Sequence, residues 1–158
     1  MGTAAETVPE LNARGLRLAL VASRYNLEVC DGLVRGALQE LQRLGLKADE
    51  VPVFRVPGAF ELPFLAKSLA ESGKVDGVIC LGTVIRGETA HFDYVCQGTT
   101  QGIQLAMLDT GIPIAFGVLT TDTLEQALAR AGEDSHNKGL EAAQTAVEMI
   151  LLKKRIKT

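Results

Sequence analysis

The residues of this chain that could do chemistry sit in a few short polar stretches between apolar runs. One reads Gly82-Thr83-Val84-Ile85-Arg86-Gly87-Glu88-Thr89-Ala90-His91 and leads into a helical period. A Gly-Glu-Thr turn at a helix start presents free N–H groups that can hold an anion, although an ordinary βα turn would look the same. His91 closes the stretch. An imidazole there can move protons near neutral pH, whereas a histidine at a helix start also commonly serves as a cap or surface residue. The other histidine, His136, lies in Gly132-Glu133-Asp134-Ser135-His136-Asn137 among polar neighbours and is expected to be solvated. His91 is the better placed of the two.

Four further positions carry chemistry of their own. Glu61 follows Pro57-Gly58-Ala59-Phe60 in a first helical turn, where a carboxylate complements the helix dipole or accepts from a ligand. Tyr25, beside Asn26, could stack on a flat ligand or cover a sheet edge. Arg130 and Lys138 flank the polar loop and, if they converge, form an anion clamp. Gly82 and Gly87 have phosphate-loop spacing, but Glu88-Thr89 stands where such a loop needs Lys followed by Ser or Thr, and Gly-x-Gly-x-x-Gly is absent. No His, Cys and carboxylate set has metal-ligand spacing, so neither a metal nor a cofactor is expected. Cys30, Cys80 and Cys96 form no Cys-x-x-Cys pair and read as small buried hydrophobes.

These stretches need elements to hold them. Short apolar runs at 16–22, 51–56, 75–81 and 112–119 read as strands buried on both faces. Val29, Leu33, Ala37, Leu41 and Leu44 fall at helical spacing and Gly45 stops them. Residues 60–70 read as a helix with Pro63 in its first turn, 82–91 as a loop, and 92–108 as a helix. Asp122-Thr123-Leu124-Glu125 has capping-box spacing and predicts a short helix to about residue 131. The last helix spans 138–153, with Leu140, Ala143, Val147, Ile150 and Leu151 inward. Alternating strands and helices predict an α/β fold: a flavodoxin-like three-layer αβα sandwich around a four-stranded parallel sheet. A fifth strand at 6–8 would be confined to an edge by Pro9. Residues 1–15 read as an N-terminal arm and 16–158 as one domain. Ligands of such sheets bind beyond the carboxyl ends of the strands, which is where the polar stretches fall.

Composition limits the partners. The 158 residues carry 19 acidic and 16 basic side chains, a net charge of −3, which leaves no basic surplus for nucleic acid. The cluster Lys153-Lys154-Arg155-Ile156-Lys157 reads as the last turn of a helix complementing its dipole. No apolar run reaches the ~18 residues of a membrane helix, and the start lacks a basic and apolar leader, so a cytoplasmic protein with reduced thiols is expected. With 5 Phe, 2 Tyr and no Trp, the core must be aliphatic.

Five segments in register resemble the lumazine synthases. They are Ala22-Ser23-Arg24-Tyr25-Asn26, Val56 to Pro63, Gly82 to Tyr94, Phe116 to Ala127, and Arg130-Ala131-Gly132 continuing to Asn137-Lys138-Gly139. The resemblance implies condensation of 5-amino-6-ribitylaminouracil with 3,4-dihydroxy-2-butanone 4-phosphate. It further implies that Tyr25 stacks on the pyrimidine, that Ala59, Phe60 and Glu61 line the ring and ribityl chain, and that Thr83, Val84 and Ile85 give backbone contacts. Glu88 and Thr89 would hold the phosphate opposite Arg130, with Lys138 nearby, Phe116 closing the pocket from a neighbour, and His91 transferring protons.

Two departures bear on these expectations. Glu88 puts a carboxylate where many relatives carry a small residue, so its side chain should point away from the anion. Residues 133–136 differ from the commoner Lys- and Gly-containing loop but keep its length. The resemblance implies a homo-oligomeric pentamer with sites between neighbours; the uninterrupted 132–137 loop favours twelve pentamers in a 60-subunit shell, while Pro9 counts against it. Two alternatives differ in class. An archaeal-type riboflavin synthase would need no phosphate substrate, against which Arg130 and Gly87-Glu88-Thr89 argue. A non-catalytic flavin-binding or shell-forming relative would have no use for His91, Arg130 and Lys138 together.

Overall fold

The computed structural model describes residues 10–157. The expected edge strand at 6–8 and Pro9 lie outside them. Four strands, β1 (Leu18–Ser23), β2 (Val53–Val56), β3 (Gly77–Ile85) and β4 (Ile114–Thr121), form one parallel sheet in the order β2-β1-β3-β4. Five α-helices accompany it: α1 (Leu27–Arg43), α2 (Leu62–Glu71), α3 (His91–Thr110), α4 (Leu124–Leu128) and α5 (Lys138–Lys157). This is the three-layer α/β architecture expected from the alternation.

Strand side chains alternate between two cores. Leu18, Leu20, Ala22, Ile79, Leu81, Ala115 and Leu119 face α1 and α5, while Ala19, Val21, Val78, Cys80, Ile114 and Val118 face α2 and α3. Continuous apolar runs are what this requires, because both faces of the sheet are covered. The helical spacing read in α1 is the buried face observed: Val29, Leu33, Ala37 and Leu41 are each no more than 1% exposed. The helix closes with a Schellman turn, in which Gly45 N–H donates to Gln42 O at 3.1 Å and Leu46 N–H to Leu41 O at 2.9 Å. Gly45 takes φ +112°, a region open to glycine. Leu11 packs against the α1 side of the core and Ala13 is fully buried in it, so the expected arm is held to the domain at these residues.

Several boundaries differ from the sequence reading. β3 continues through Gly82 to Ile85, pairing Gly82 with Val118 and Ile85 with Thr121, where a loop was expected from residue 82. The glycine is a close-approach position inside a strand, since a Cβ there would lie 3.0 Å from Leu62 Cδ1 and 3.1 Å from Ser23 Oγ. The capping box of α4 is displaced by one residue: Thr123 Oγ1 accepts from Gln126 N–H at 3.2 Å, and Gln126 Oε1 accepts in return from the N–H groups of Asp122 and Thr123. Gln126, not Glu125, therefore supplies the cap. The helix ends at Leu128, and Arg130 and Ala131 continue it only through tighter bonds to Ala127 and Leu128.

α5 runs past the expected end to Lys157, and Lys154, Arg155 and Lys157 occupy its last turn as the dipole argument anticipated. Lys153, just before that turn, donates its Nζ to Gly111 O at 2.6 Å, satisfying a carbonyl at the end of α3. No helix of the described residues is long and apolar enough to cross a membrane.

Candidate active site

After β1 the chain returns through α1 to β2 on one side and later continues to β3 on the other. The crevice between the carboxyl ends of β1 and β3 is thus the switch point of the sheet. A cavity of about 450 Å³ opens there, lined by Tyr25 and Asn26 after β1, Gly58 to Glu61 after β2, Thr83 to Ile85 of β3, and His91, Tyr94 and Val95 of α3. The extension of β3 matters here. Thr83, Val84 and Ile85 form a rigid strand wall instead of a loop.

Each side chain is placed by its local structure. Tyr25 lies over Gly58, where an added Cβ would meet its Cδ2 at 2.7 Å, and the ring is 68% exposed. Asn26 stands at the N-cap position of α1 in the left-handed region (φ 58°), a conformation that asparagine tolerates, and its side chain is turned to another use. Its Nδ2 donates to Thr83 O at 3.2 Å, tying β1 to β3 across the crevice. Ala59 to Glu61 form a turn of 3₁₀-helix before α2, and Glu61 Oε2 accepts from Gly58 N–H at 3.0 Å. One carboxylate oxygen thus performs the capping role open to it in the sequence, and the other is available to a ligand. His91 begins α3, lines the cavity, and donates its backbone N–H to Thr89 Oγ1 at 3.3 Å.

Beneath the floor lies a polar cluster that sequence reasoning missed. Ser23, Cys30 and Thr83 are all buried, with the Cys30 sulfur 3.3 Å from Ser23 Oγ, 3.3 Å from Tyr25 O and 3.5 Å from Thr83 Oγ1. Cys30 is buried as expected but is a hydrogen-bonding group and not merely a small hydrophobe. Cys80 fits the plainer expectation, its thiol pushed up to about 12 by burial, and Cys96 is half-buried.

Glu88 and Thr89 lie on the exposed turn between β3 and α3 and line neither this cavity nor the next. A second cavity of about 300 Å³ lies along β4 and holds Phe116, Arg130 and Lys138, together with Thr120, Thr121, Glu141 and Thr145. Both residues line this cavity, and their backbones are joined by Lys138 N–H donating to Arg130 O at 2.9 Å. They are not equivalent: Lys138 Nζ is paired with Glu141 at 2.6 Å, whereas Arg130 Nη1 donates to Gln126 O at 2.8 Å and pairs with no carboxylate among the described residues. Arg130 is the more available anion ligand. Phe116 is 44% exposed on the edge strand.

The structure therefore groups Tyr25, Ala59, Phe60, Glu61, Thr83, Val84, Ile85 and His91 in one cavity and Phe116, Arg130 and Lys138 in another. His136 is exposed beside Asp134, as its polar surroundings suggested. Sequence reasoning also missed Tyr94 and Val95, which follow His91 on one helical face and were legible by that spacing. No group of three His, Cys, Asp or Glu side chains among the described residues could hold a metal ion.

Known proteins resemble the chain over nearly its full length. A family model described as 6,7-dimethyl-8-ribityllumazine synthase matches residues 15–154. A protein of that name from Syntrophus aciditrophicus (strain SB) is 53% identical over 150 residues, 95% of this chain and 97% of the relative. The namesake from Salinibacter ruber (strain DSM 13855 / M31) is 52% identical over 143 residues, 90% of this chain and 92% of the relative. One from Desulfovibrio desulfuricans (strain ATCC 27774 / DSM 6949 / MB) is 49% identical over 150 residues, 95% and 96%.

Proposed function

The chain belongs to the 6,7-dimethyl-8-ribityllumazine synthase family, and from that premise we propose that each working site joins the Tyr25–His91 cavity of one protomer to the Arg130 cavity of its neighbour. The protein is a transferase of riboflavin biosynthesis. It condenses 5-amino-6-(D-ribitylamino)uracil with 3,4-dihydroxy-2-butanone 4-phosphate to 6,7-dimethyl-8-ribityllumazine, phosphate and water. The observation carrying the shared site is a division of chemistry. The Tyr25–His91 cavity is lined by no Lys or Arg, and the cavity that has both cations lacks the stacking tyrosine and the histidine. Neither alone suits two substrates of which one bears a phosphate.

In this reading Tyr25 stacks on the pyrimidine, and backbone groups of Thr83, Val84 and Ile85 read its edge. Ala59 and Phe60 line the ribityl chain while the free oxygen of Glu61 accepts from its hydroxyls. The Glu88-Thr89 turn and Arg130 bracket the phosphate, with Lys138 behind and Phe116 of the neighbour closing the pocket. A ring amine attacks the ketone, phosphate departs, the adduct tautomerises, and the ring closes with loss of water. Protons move at every step, and His91 is the group at the cavity wall suited to carry them. Much of the remaining acceleration comes from holding two reactants together, for which effective molarities reach roughly 10⁵–10⁸ M.

We further read the protomers as cytoplasmic pentameric rings, twelve of which close into a 60-subunit shell; sedimentation showing only free pentamers would remove the shell. The reaction is tested by mixing purified protein with both substrates and following lumazine absorbance and fluorescence. Formation well above the spontaneous rate is expected, and formation at that rate overturns the reading.

A further inference from the structure

One side chain joins both ends of the turn that precedes α3. Arg86 follows directly on β3, and its backbone N–H donates to Thr121 O at 2.9 Å. Its Nε donates to Asp122 Oδ1 at 2.8 Å and its Nη1 to Asp93 Oδ1 at 3.4 Å. The guanidinium carbon stands 4.3 Å from the centroid of the Phe92 ring, which is itself buried. Asp93 and Phe92 belong to the first turn of α3, and Asp122 follows β4. The residue before the turn is thereby tied to the two residues after it, and all three to the end of β4.

The segment between, from Gly87 to His91, is otherwise held only at its end, where Ala90 O accepts from Asp93 N–H at 3.0 Å and Tyr94 N–H at 3.4 Å as α3 begins. Nothing lies within 4 Å of a Cβ built at Gly87, and the bond from His91 N–H to Thr89 Oγ1 is local. A planar fork that bonds in two directions while stacking on a ring is a task for arginine, not lysine. Two carboxylates already occupy the guanidinium, so it is not a free charge awaiting an anion.

We propose that Arg86 is a positioning residue for the condensation: clamped between Asp122, Asp93 and Phe92, it holds the Glu88-Thr89 turn and His91 in register without touching the phosphate. The proposal rests on the assignment of that turn to the phosphate-bearing substrate. Exposed ion pairs contribute little to folding, so the clamp acts on the conformation of one short segment and not on global stability.

Steady-state kinetics with each substrate varied in turn, alongside thermal melts, test the clamp in Arg86→Gln, Arg86→Lys and Asp122→Asn. Each variant should raise KM for the butanone phosphate about tenfold, the scale of a charged pair plus a ring contact. KM for the pyrimidine and the melting temperature should stay near wild type. Asp122→Asn is the discriminating variant, because it removes a negative charge near the turn and weakens the guanidinium's shortest bond while Asp93 and Phe92 stay in place. A guanidinium acting by charge or direct contact would then lower KM for the phosphate substrate; a lowered or unchanged value overturns the clamp. A large fall in melting temperature with both KM values rising together overturns it as well, in favour of a merely structural role. Thr89→Ala separates this failure from failure of the turn assignment. If Thr89→Ala leaves KM for the phosphate substrate unchanged, the turn is not the phosphate site and the clamp loses its purpose; if it raises that KM while Asp122→Asn does not, only the clamp falls.

Discussion

His91 lines the cavity, and it is the backbone N–H of His91 that serves the helix start through Thr89. His91→Ala should therefore leave the fold intact and lower kcat by about 10²–10⁴-fold, the usual share of a positioned acid–base group. Turnover should remain above the spontaneous rate, because the two substrates are still held together. A variant that binds both substrates yet forms product only at the background rate would contradict that division. Gly58 is a second test at this scale. A methyl there would press on the Tyr25 ring, so Gly58→Ala should raise KM for the pyrimidine several-fold and spare KM for the phosphate substrate; equal effects on both would show that the ring does not serve the pyrimidine. His91 stood out in the sequence because histidine is scarce and this one follows a strand. Cys30, Asn26 and Arg86 did not, because their roles rest on partners brought close only by the fold, such as Thr83, which lies 57 residues from Asn26.

Elements were legible where periodicity was strong and obscure where one residue type has two uses. Gly82 reads as loop punctuation, yet its missing side chain lets β3 run on beneath Leu62 and supply the site's strand wall. The α1–α5 seam was equally hidden. Asn137 is buried between the helices, with Nδ2 donating to Gly32 O at 3.0 Å and Gly132 O at 2.8 Å, and Oδ1 accepting from Gly139 N–H at 2.8 Å and Leu140 N–H at 3.1 Å. An added Cβ at Gly139 would fall on the Leu33 carbonyl oxygen, deep inside contact distance of rigid backbone. Gly139→Ala should cost about 1–3 kcal/mol or more by overpacking, read as a lowered denaturant midpoint with an unchanged slope. An unshifted midpoint would mean the helices can separate freely. The same seam is sensitive to acid. The buried Glu40 carboxylate is held below its ordinary pKa by hydrogen bonds from Arg43, reinforced by Gln144 of α5, against the opposing effect of burial. A depressed folded-state value means this stabilisation is fully present above the ordinary carboxylate range and is lost as pH falls through the folded value. Glu40→Gln should therefore be less stable than wild type at neutral pH, by about 1 kcal/mol given the exposure of Arg43. The gap should close in acid, and one constant from neutral to acid pH would refute the linkage.

At the scale of the whole molecule, an aromatic-poor chain leaves every ring but Phe92 exposed: Phe60 by 60% and Tyr94 by 71% at the cavity wall, and Phe64 by 77% on α2. Rings this exposed around a half-lined cavity are economical only if another surface covers them. The proposed division of the substrates' contacts between two cavities would give that cover a function, and it can be tested without resolving the assembly. In a ring built from heterologous contacts, each site takes His91 from one protomer and Arg130 from the next. His91→Ala and Arg130→Ala protomers are each impaired at every site in pure form, the second chiefly through a raised KM for the phosphate substrate. Co-expressed in equal amounts and assayed at low phosphate substrate, they should regain about one quarter of wild-type activity, because random mixing gives that share of sites both intact residues. The intact residues then come from different chains. If both lay in the site of one chain, no mixture could contain a fully intact site, and its activity would equal the mean of the two parents. Activity above that mean requires a site shared between protomers, and activity equal to it, in a mixture shown to co-assemble, rejects one.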